Sequence, residues 1–293
     1  MKTSIINIRN ILLAGICLLI ISNETFSQGT QISTGGGQKL FIGLVLSPGQ
    51  SNLNCEETDA LTGVRSDGSL GFSGQLEGGY YISNLIGVST GIGFSSMKTS
   101  LTVVTYQSEF SDTDTDTESF EMRVTGSNIS EDISLSFINI PLNLIFRISL
   151  NDKAGFYIQP GINVSLPVGN KYSGNGTFTY KGFYAAYNLL LENLPDFGFP
   201  KDNSTSSEGS AVFKSFFLNG IVNAGVYYQI NDKLQLVAGA GFDRSLSTLS
   251  SSTSIENFQL SPGVDEMNSI TEGLSNIRAQ SIGLRVGVRY YIK

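Results

Sequence analysis

Four charged side chains stand out because they fall on otherwise uncharged polar faces of alternating segments. They are Glu77, Arg147, Arg285 and Arg289. Charges that face a narrow protein interior must be paired to avoid a large desolvation cost. Glu77 is expected to reach one of the last two arginines across a small residue such as Gly43. The resulting charge network is either a structural plug that fills the interior or a gate or selectivity filter.

A second group of charged residues is acidic and lies within 111–118. Its members are Asp112, Asp114, Asp116 and Glu118. In an extended chain they face one way and form an acidic ladder. The first positions resemble a calcium loop, but Thr117 stands where the turn glycine belongs and Arg123 where the bidentate glutamate belongs. The metal signal is weak, so we expect a solvated strand extension and no metal site.

The segment 183–199 is unusually apolar for a connection exposed to water. Its apolar members are Phe183, Tyr187, Leu190, Leu191, Leu194, Phe197 and Phe199. The first five have helical spacing up to Pro195, which predicts a short amphipathic helix. Such a helix must bury its stripe over the mouth of the fold, at a membrane interface or against a partner protein.

Catalytic chemistry has little support in this sequence. The chain contains no histidine, which removes the commonest general base and the commonest zinc ligand. No spacing of serine and carboxylate residues distinguishes a nucleophile with its base from ordinary loop polarity. We predict that the protein is not an enzyme and has no catalytic residue and no cofactor.

Composition and the first residues indicate an exported protein. Residues 1–27 have the charged start, apolar stretch and small residues of a secretory signal, with cleavage expected before Gln28. Cys17 lies in the removed part, so Cys55 is the single thiol of the mature chain and no internal disulfide is expected. A net charge of −7 without a basic cluster argues against nucleic acid as a partner.

Eight segments show period-2 alternation of apolar and polar residues, which is typical of strands. They are 39–48, 69–82, 85–97, 134–149, 154–166, 212–230, 234–246 and 278–292. Short turns and long connections alternate between them. The short turns are 83–84, 151–153 and 231–233, and the long connections are 51–68, 98–133, 167–211 and 247–277. This order predicts an all-β fold, an eight-stranded antiparallel transmembrane β-barrel with short periplasmic turns and long extracellular loops.

The alternative is a soluble, lipocalin-like binding barrel in the periplasm. In such a barrel the polar face would meet water and should be rich in lysine and glutamate. The polar faces here hold mainly glycine, serine, asparagine and glutamine. That composition favours a crowded polar interior inside a membrane barrel.

Three stretches of the chain resemble a known family. Residues 137–147 and 151–161 are similar to the strand-turn-strand core of the PorT-like outer-membrane β-barrel family, and residues 283–293 are similar to its closing strand. The architecture that this resemblance implies is that of the small barrels of the OmpA/OmpX type. The resemblance implies an outer-membrane protein of a Gram-negative bacterium and a role connected with secretion or envelope assembly.

The expected organisation is a signal peptide at 1–27, a short periplasmic segment at 28–38 and a barrel domain at 39–293, with both termini in the periplasm. The expected function is non-enzymatic and uses the surface loops, as a binding surface or as a component of an envelope assembly. The alternative within the membrane is a narrow pore for small solutes. Expected partners are outer-membrane lipid, the barrel-assembly machinery and another envelope protein.

Overall fold

The computed structural model describes residues 40–57, 61–250 and 258–292. Within them the chain forms ten strands: β1 (Leu40–Glu56), β2 (Thr62–Tyr81), β3 (Ile86–Thr113), β4 (Ser119–Ser149), β5 (Ala154–Tyr184), β6 (Leu189–Glu192), β7 (Asn203–Ser210), β8 (Phe217–Gln229), β9 (Leu234–Ser245) and β10 (Ser275–Ile292). Short 3-10 helices lie at Ala185–Tyr187, Pro195–Phe197 and Ile270–Gly273. The predicted signal peptide and periplasmic segment lie outside the described residues. No helix in the described ranges is long and apolar enough to cross a membrane.

Eight of the described strands close a ring. Strands β1 to β5 are antiparallel neighbours in chain order, followed by β8, β9 and β10, and β10 pairs back with β1. Strands β6 and β7 both pair with β5 outside the ring. In two of the short turns, the Oδ1 atoms of Asn151 and Asn231 accept hydrogen bonds from backbone N–H groups two and three residues later. The predicted eight-stranded antiparallel barrel is confirmed.

One half of the barrel, here called the belt half, has an apolar outer face. It comprises residues 40–48, 70–96, 138–166, 218–243 and 282–292. On β10, Ile282 and Leu284 are 62% and 67% exposed, whereas the next residue, Arg285, faces the interior and is 5% exposed. A tilted membrane strand needs about 9–11 residues to cross the hydrocarbon, which suits these spans. Apolar residues outside and polar residues inside are the inverse of the soluble barrel that the sequence left as an alternative.

The other half, here called the projecting half, comprises residues 49–57, 61–69, 97–137, 167–217, 244–250 and 258–281. Strands β3, β4 and β5 extend into it and reach 28, 31 and 31 residues. The segment 98–133, predicted as a long connection, is therefore mostly hairpin, paired up to Thr113 and Ser119. At about 3.4 Å per residue, the extension of β3 beyond the belt is roughly 55–60 Å long along the strand.

The apolar face of β4 changes sides at the border between the two halves. Ile138 and Leu142 belong to its outward face, whereas Leu135 and Phe137 point inward and are 1% and 5% exposed. The β4–β5 register shifts between Ser136 and Phe137. Because the apolar residues move to the other side of β4 at this point, the alternating pattern of the predicted strand ends here. The sequence therefore predicted a loop where β4 in fact continues.

Apolar side chains fill the interior of the projecting half. The long strands supply its walls, with Leu101, Ile133 and Phe178 at 1% exposure or less. The segment 258–274 folds inside these walls and places Leu260 and Ile270, both 0% exposed, in the same core. This connection is therefore part of a packed core.

Candidate functional site

A carboxylate and two guanidinium groups occupy the interior of the belt half. The Nε atom of Arg289 donates to Oε1 of Glu77 at 2.6 Å, and Nη2 of Arg285 donates to Oε2 of Glu77 at 3.3 Å. All three side chains are almost fully buried. The structure therefore brings together three of the four charged residues that the sequence singles out. Loss of one partner would leave a buried charge uncompensated, so the arrangement is sensitive to substitution.

Gly43 on β1 separates the two sides of this ion pair. It is the register partner of Arg289 on β10 and of Glu77 on β2. A Cβ atom at this position would lie 2.9 Å from the carbonyl oxygen of Val288 and 3.1 Å from Oε1 of Glu77. The absence of a side chain at Gly43 is what lets the carboxylate and the guanidinium meet across β1.

Aromatic rings fill the interior next to the ion pair, towards the short turns. The ring centroids of Phe41, Tyr81 and Tyr291 lie 5.6 to 6.3 Å apart. The guanidinium carbon of Arg289 lies 4.8 Å from the centroid of Phe41. Together the rings and the ion pair occupy the interior of the belt half near the short turns.

Arg147 stands apart from the charge network, contrary to the expectation from the sequence. Its guanidinium carbon lies 4.0 Å from the ring centroid of Tyr81, and its Nε atom donates to the carbonyl oxygen of Asn84 at 2.8 Å. It forms no ion pair with any described residue. Its position at the end of β4, beside a short turn, gives it a ring and a carbonyl as partners in place of a carboxylate.

A hydrogen-bonded row of amides and hydroxyls crosses the interior above the ion pair. It links five strands through Ser95, Asn139, Ser165, Asn219 and Ser245. The donor-acceptor distances between consecutive members are 2.7 to 3.0 Å. Because each member is fixed by its neighbours, the row holds the interior in one arrangement.

A polar chamber of about 160 Å³ lies at the border of the two halves. Serine, glycine and asparagine dominate its lining, and its two charged lining residues are Asp243 and Arg285. Met97, Phe137 and Phe217, which belong to the apolar core of the projecting half, line it as well. The chamber is thus bounded by apolar core on one side and by the ion pair on the other.

The segment 183–199 is not the predicted amphipathic helix. Residues up to Tyr184 continue β5, and Leu189–Glu192 form β6, which pairs with β5 in register from Lys181 to Tyr184. An amphipathic helix and an exposed hairpin can both place these apolar residues on one surface, so their spacing does not distinguish the two structures. Here the backbone hydrogen bonds between β5 and β6 form the hairpin. The loop contact residues lie in different environments: Phe199 is buried, Phe183 and Leu191 are half-buried, and Tyr187, Leu190, Leu194 and Phe197 are exposed.

The predicted acidic ladder is also wrong, because the chain turns within it. Oδ1 of Asp114 accepts hydrogen bonds from the backbone N–H groups of Asp116 and Glu118 at 3.0 and 2.9 Å. These bonds, with that of Glu118 first, lower the pKa of Asp114. Asp112 precedes the turn on β3. Among the described residues no group of three or more acidic or cysteine side chains is placed to hold a metal.

The tip of the β3–β4 hairpin is joined to the β5–β6 hairpin by tyrosine hydroxyls. The hydroxyl of Tyr184 donates to Oδ2 of Asp114 at 3.0 Å, and that of Tyr187 donates to Oε1 of Glu118 at 2.7 Å. The acceptor carboxylate of Glu118 raises the pKa of Tyr187. Three of the sequence-predicted residues, Asp114, Glu118 and Tyr187, thus meet with Tyr184 as a tyrosine-carboxylate clasp.

Glu131 is an interior carboxyl of the projecting half that the sequence analysis did not identify. It is 0% exposed, and it accepts hydrogen bonds from Oγ of Ser269 at 3.0 Å and from the backbone N–H of Ile270 at 2.7 Å. Burial raises the pKa of Glu131 to about 7. The carboxyl therefore fastens the segment 258–274 to β4.

Two interior residues, Glu131 and Asp243, escaped the sequence analysis for the same reason. Each is an acid at an inward-facing position of its strand, Glu131 between Ile129 and Ile133, and Asp243 two residues after Gly241. The signal that would find them is a single acid at such a position. Recognising it requires knowledge of which side of the strand faces inward, and on β4 the apolar residues move from the inward to the outward side at the border of the two halves.

Comparison with known proteins gives a family match over most of the chain. The profile of the outer membrane protein beta-barrel domain family matches residues 26–251. No curated protein matches the chain significantly. Among solved structures, the chain is similar to Neisserial surface protein A at 12% identity, covering 88% of this chain and 100% of that one, with a TM-score of 0.36.

Two further solved structures are similar at the same level. For Ail, the attachment invasion locus protein of Yersinia pestis, identity is 13%, coverage is 86% of this chain and 99% of that one, and the TM-score is 0.31. For the outer membrane protein OprG of Pseudomonas aeruginosa, identity is 10%, coverage is 87% and 97%, and the TM-score is 0.33.

Proposed function

Because the chain belongs to the outer membrane protein beta-barrel domain family, we propose that its belt half is a closed anchor and its projecting half a rigid contact surface outside the cell. The protein is an integral outer-membrane β-barrel of a Gram-negative bacterium. The proposed orientation places both termini and the short turns in the periplasm. The proposed activity is non-enzymatic and consists of binding another envelope or surface protein.

The observation that carries this proposal is that the barrel is filled at two levels. The ion pair of Glu77 with Arg285 and Arg289 and the neighbouring aromatic rings fill the belt half. The segment 258–274 and the strand walls fill the projecting half. An eight-stranded barrel has an interior just wide enough for side chains, so these contents favour a surface role over a small-solute pore.

The contact surface is the exposed apolar part of the β5–β6 hairpin and of the 3-10 helix Pro195–Phe197 that follows it. Tyr187, Leu190 and Phe197 are 62%, 42% and 73% exposed although they lie in the half whose other outward residues are mainly polar. Clustered apolar side chains on a water-facing surface mark interaction sites. The tyrosine-carboxylate clasp holds this hairpin against the β3–β4 tip, so the surface is presented in a defined shape.

Three finer parts of the proposal come from the sequence. The strand patterns at 137–161 and 283–293 support a PorT-like barrel with a role in secretion or envelope assembly. The pattern of residues 1–27 supports export through a cleaved signal peptide. The barrel fold supports insertion by the barrel-assembly machinery, with outer-membrane lipid around the belt.

Site-specific photo-crosslinking in living cells tests the contact surface. A photoreactive phenylalanine analogue is placed at Phe197, which is exposed and is not part of the clasp, and a matched probe is placed at Leu142, which faces outward in the belt half. The proposal predicts a discrete protein adduct from position 197 and none from position 142. Identical adduct patterns from the two positions would contradict it.

Planar bilayer recording tests whether the interior is closed. Purified wild-type protein is expected to show no conductance steps, and discrete conductance steps would restore the pore alternative.

Cysteine labelling tests the orientation of the barrel in the membrane. A Tyr187→Cys variant and an Asp152→Cys variant are each prepared in a chain that also carries Cys55→Ala. A membrane-impermeant maleimide should label only the first in intact cells and both after permeabilisation, whereas the reverse order would contradict the proposed orientation.

A further inference from the structure

We propose that two lysines and a serine on the outer wall of the barrel bind the phosphate group of a membrane lipid. The three residues, here called the lysine row, are Lys98 on β3, Ser134 on β4 and Lys171 on β5. They lie just beyond the belt half and are separate from the contact surface. The inference rests on the proposed function only for the leaflet that supplies the lipid, which is the outer leaflet when the short turns are in the periplasm.

The strand register places the three side chains next to each other. Lys98 is the register partner of Ser134, and Ser134 is the register partner of Lys171. All three residues are exposed. Neighbouring strands lie about 4.8 Å apart, so the two lysines are roughly 10 Å apart at the backbone with the serine between them. Both long lysine side chains therefore reach a phosphate group that lies over Ser134.

The charges of the two lysines are not compensated within the described part of the chain. None of the ion pairs there includes Lys98 or Lys171. An anion between the two ammonium groups accepts a charge-assisted hydrogen bond from each of them, and the hydroxyl group of Ser134 is a third donor. The lysine row thus has the donors and the charge for one phosphate group.

The acidic residues of the same wall lie one step further from the belt half. The next outward row runs from Asp67 through Ser100, Asp132 and Ser173 to Glu208. Its three acids are exposed. The row nearer the membrane is therefore basic and the row beyond it is acidic, so an anion is attracted to the side that faces the membrane.

The lysine row lies at the level of the lipid headgroups. Phe94, an outward residue of the belt half, is 48% exposed and precedes Lys98 by four residues on β3. Four residues of a strand tilted by about 45° rise roughly 10 Å above the hydrocarbon, and the headgroup layer is about 5–8 Å thick. Lysine side chains bend towards such an interface while their stems cover apolar surface. The anion at this level is the phosphate of a lipid.

Two lysines at the other end of the barrel provide a matched control. Lys153 and Lys233 lie in short turns, are exposed, and directly follow Asp152 and Asp232. Each of these lysines has a carboxylate beside it in the chain, so the turns do not form a row of uncompensated positive charge. Replacing them changes the net charge of the protein as much as replacing Lys98 and Lys171 does.

Native mass spectrometry of the protein in a neutral detergent tests the site. Phosphatidic acid and diacylglycerol with the same acyl chains are titrated, because the two lipids differ only in the phosphate group. The wild type should bind phosphatidic acid and not diacylglycerol. The double variant Lys98→Gln/Lys171→Gln should bind phosphatidic acid roughly 30-fold more weakly, and Ser134→Ala about fivefold more weakly. Lys153→Gln/Lys233→Gln should bind it like the wild type.

Four outcomes would overturn the proposal. Equal binding of the two lipids would mean that the apolar belt alone holds them, and equal weakening in the two double variants would mean that only net charge matters. Displacement of phosphatidic acid by an equal concentration of inorganic phosphate would indicate a site for the free anion. If phosphatidic acid does not bind and a photoreactive probe at Lys98 captures a protein in cells, the lysine row is a docking surface for an acidic protein. Because lipid binding is measured in detergent, its failure is distinct from a failure of the proposed orientation or contact surface.

Discussion

The belt half and the projecting half are built from the same strands, but apolar side chains point outward in the first and inward in the second. In the belt half, apolar side chains such as Leu284 point out, and the interior holds buried polar and charged side chains beside a few aromatic rings. In the projecting half, side chains such as Asp132 point out and the interior is apolar. The change occurs on continuous strands and is marked on β4 by adjacent Phe137 and Ile138. Period-2 alternation therefore fixes two faces of a strand but not which of them meets the solvent.

The difference also separates two ways of filling a barrel. The belt interior is held by directional bonds, in which each partner of the Glu77 ion pair depends on the others. The projecting interior is held by shape and apolar burial, with the single carboxyl of Glu131 as a polar anchor. Substitutions should consequently act through charge in the first region and through cavity volume in the second.

The largest effect is expected from removing the central carboxylate of the belt half. Glu77→Ala leaves the guanidinium of Arg289 buried without its partner, which should lower the free energy of unfolding by about 3–5 kcal/mol. Urea titration of the protein refolded in detergent measures this change. Glu192→Ala, which removes an exposed ion pair with Lys181, should leave the free energy of unfolding close to that of the wild type. Equal costs for the two variants would contradict a directional belt interior.

The next effect is expected from a cavity in the projecting half. Leu260→Ala removes a fully buried side chain and should cost roughly 2–5 kcal/mol of local stability. Limited proteolysis should show faster cleavage within 258–274 while the belt half stays protected. Val168→Ala, at a 56% exposed position, is the matched control and should behave like wild type. Cooperative loss of the whole barrel with Leu260→Ala would show that the two halves do not differ as described.

A smaller effect is expected from pH at Glu131. Its pKa of about 7 lies above the ordinary value of 4.5, so the folded state holds the proton more tightly than the unfolded state. The stabilising contribution is complete below pH 4.5 and is lost as the pH rises towards 7. At pH 8 the packing of 258–274 should be weaker by about 1–3 kcal/mol than at pH 5.

Protease cleavage of the segment 258–274 at pH 5 and pH 8 measures this dependence. Glu131→Gln retains a polar group of the same shape but does not titrate, so its cleavage rate should be the same at both pH values once the protease rate is normalised on an unfolded substrate. A wild-type rate that does not change between these pH values would contradict the assignment.

The smallest effect concerns the reactivity of Cys55. The thiol lies at the outer end of β1, packs beside the apolar core and is half-buried, and burial raises its pKa. Because the thiolate is the reactive form, maleimide should label it roughly tenfold more slowly than Tyr187→Cys at neutral pH. Stopped labelling reactions followed by mass spectrometry compare the two rates. Equal rates would mean that the outer end of β1 is open to solvent.

Much of the belt half could be predicted from the sequence, because a membrane forces a strict alternation and short turns use recognisable asparagine chemistry. The interior position of Glu77 followed from the same alternation. The projecting half could not be predicted in this way, since its apolar residues change faces where the surrounding solvent changes. The structure of 183–199 depends on backbone pairing with β5, which side-chain spacing does not encode.

Depth-dependent fluorescence quenching tests the reversal of facing most directly. The chain contains no tryptophan, so single tryptophans can be introduced at Leu142 and Ser134, which are both exposed on β4, on either side of the border. In vesicles with brominated acyl chains, we predict strong lipid quenching of the tryptophan at position 142. The tryptophan at position 134 should be quenched by aqueous iodide and not by the brominated lipid. Strong lipid quenching at both positions would contradict the border between the halves and, with it, the projecting surface.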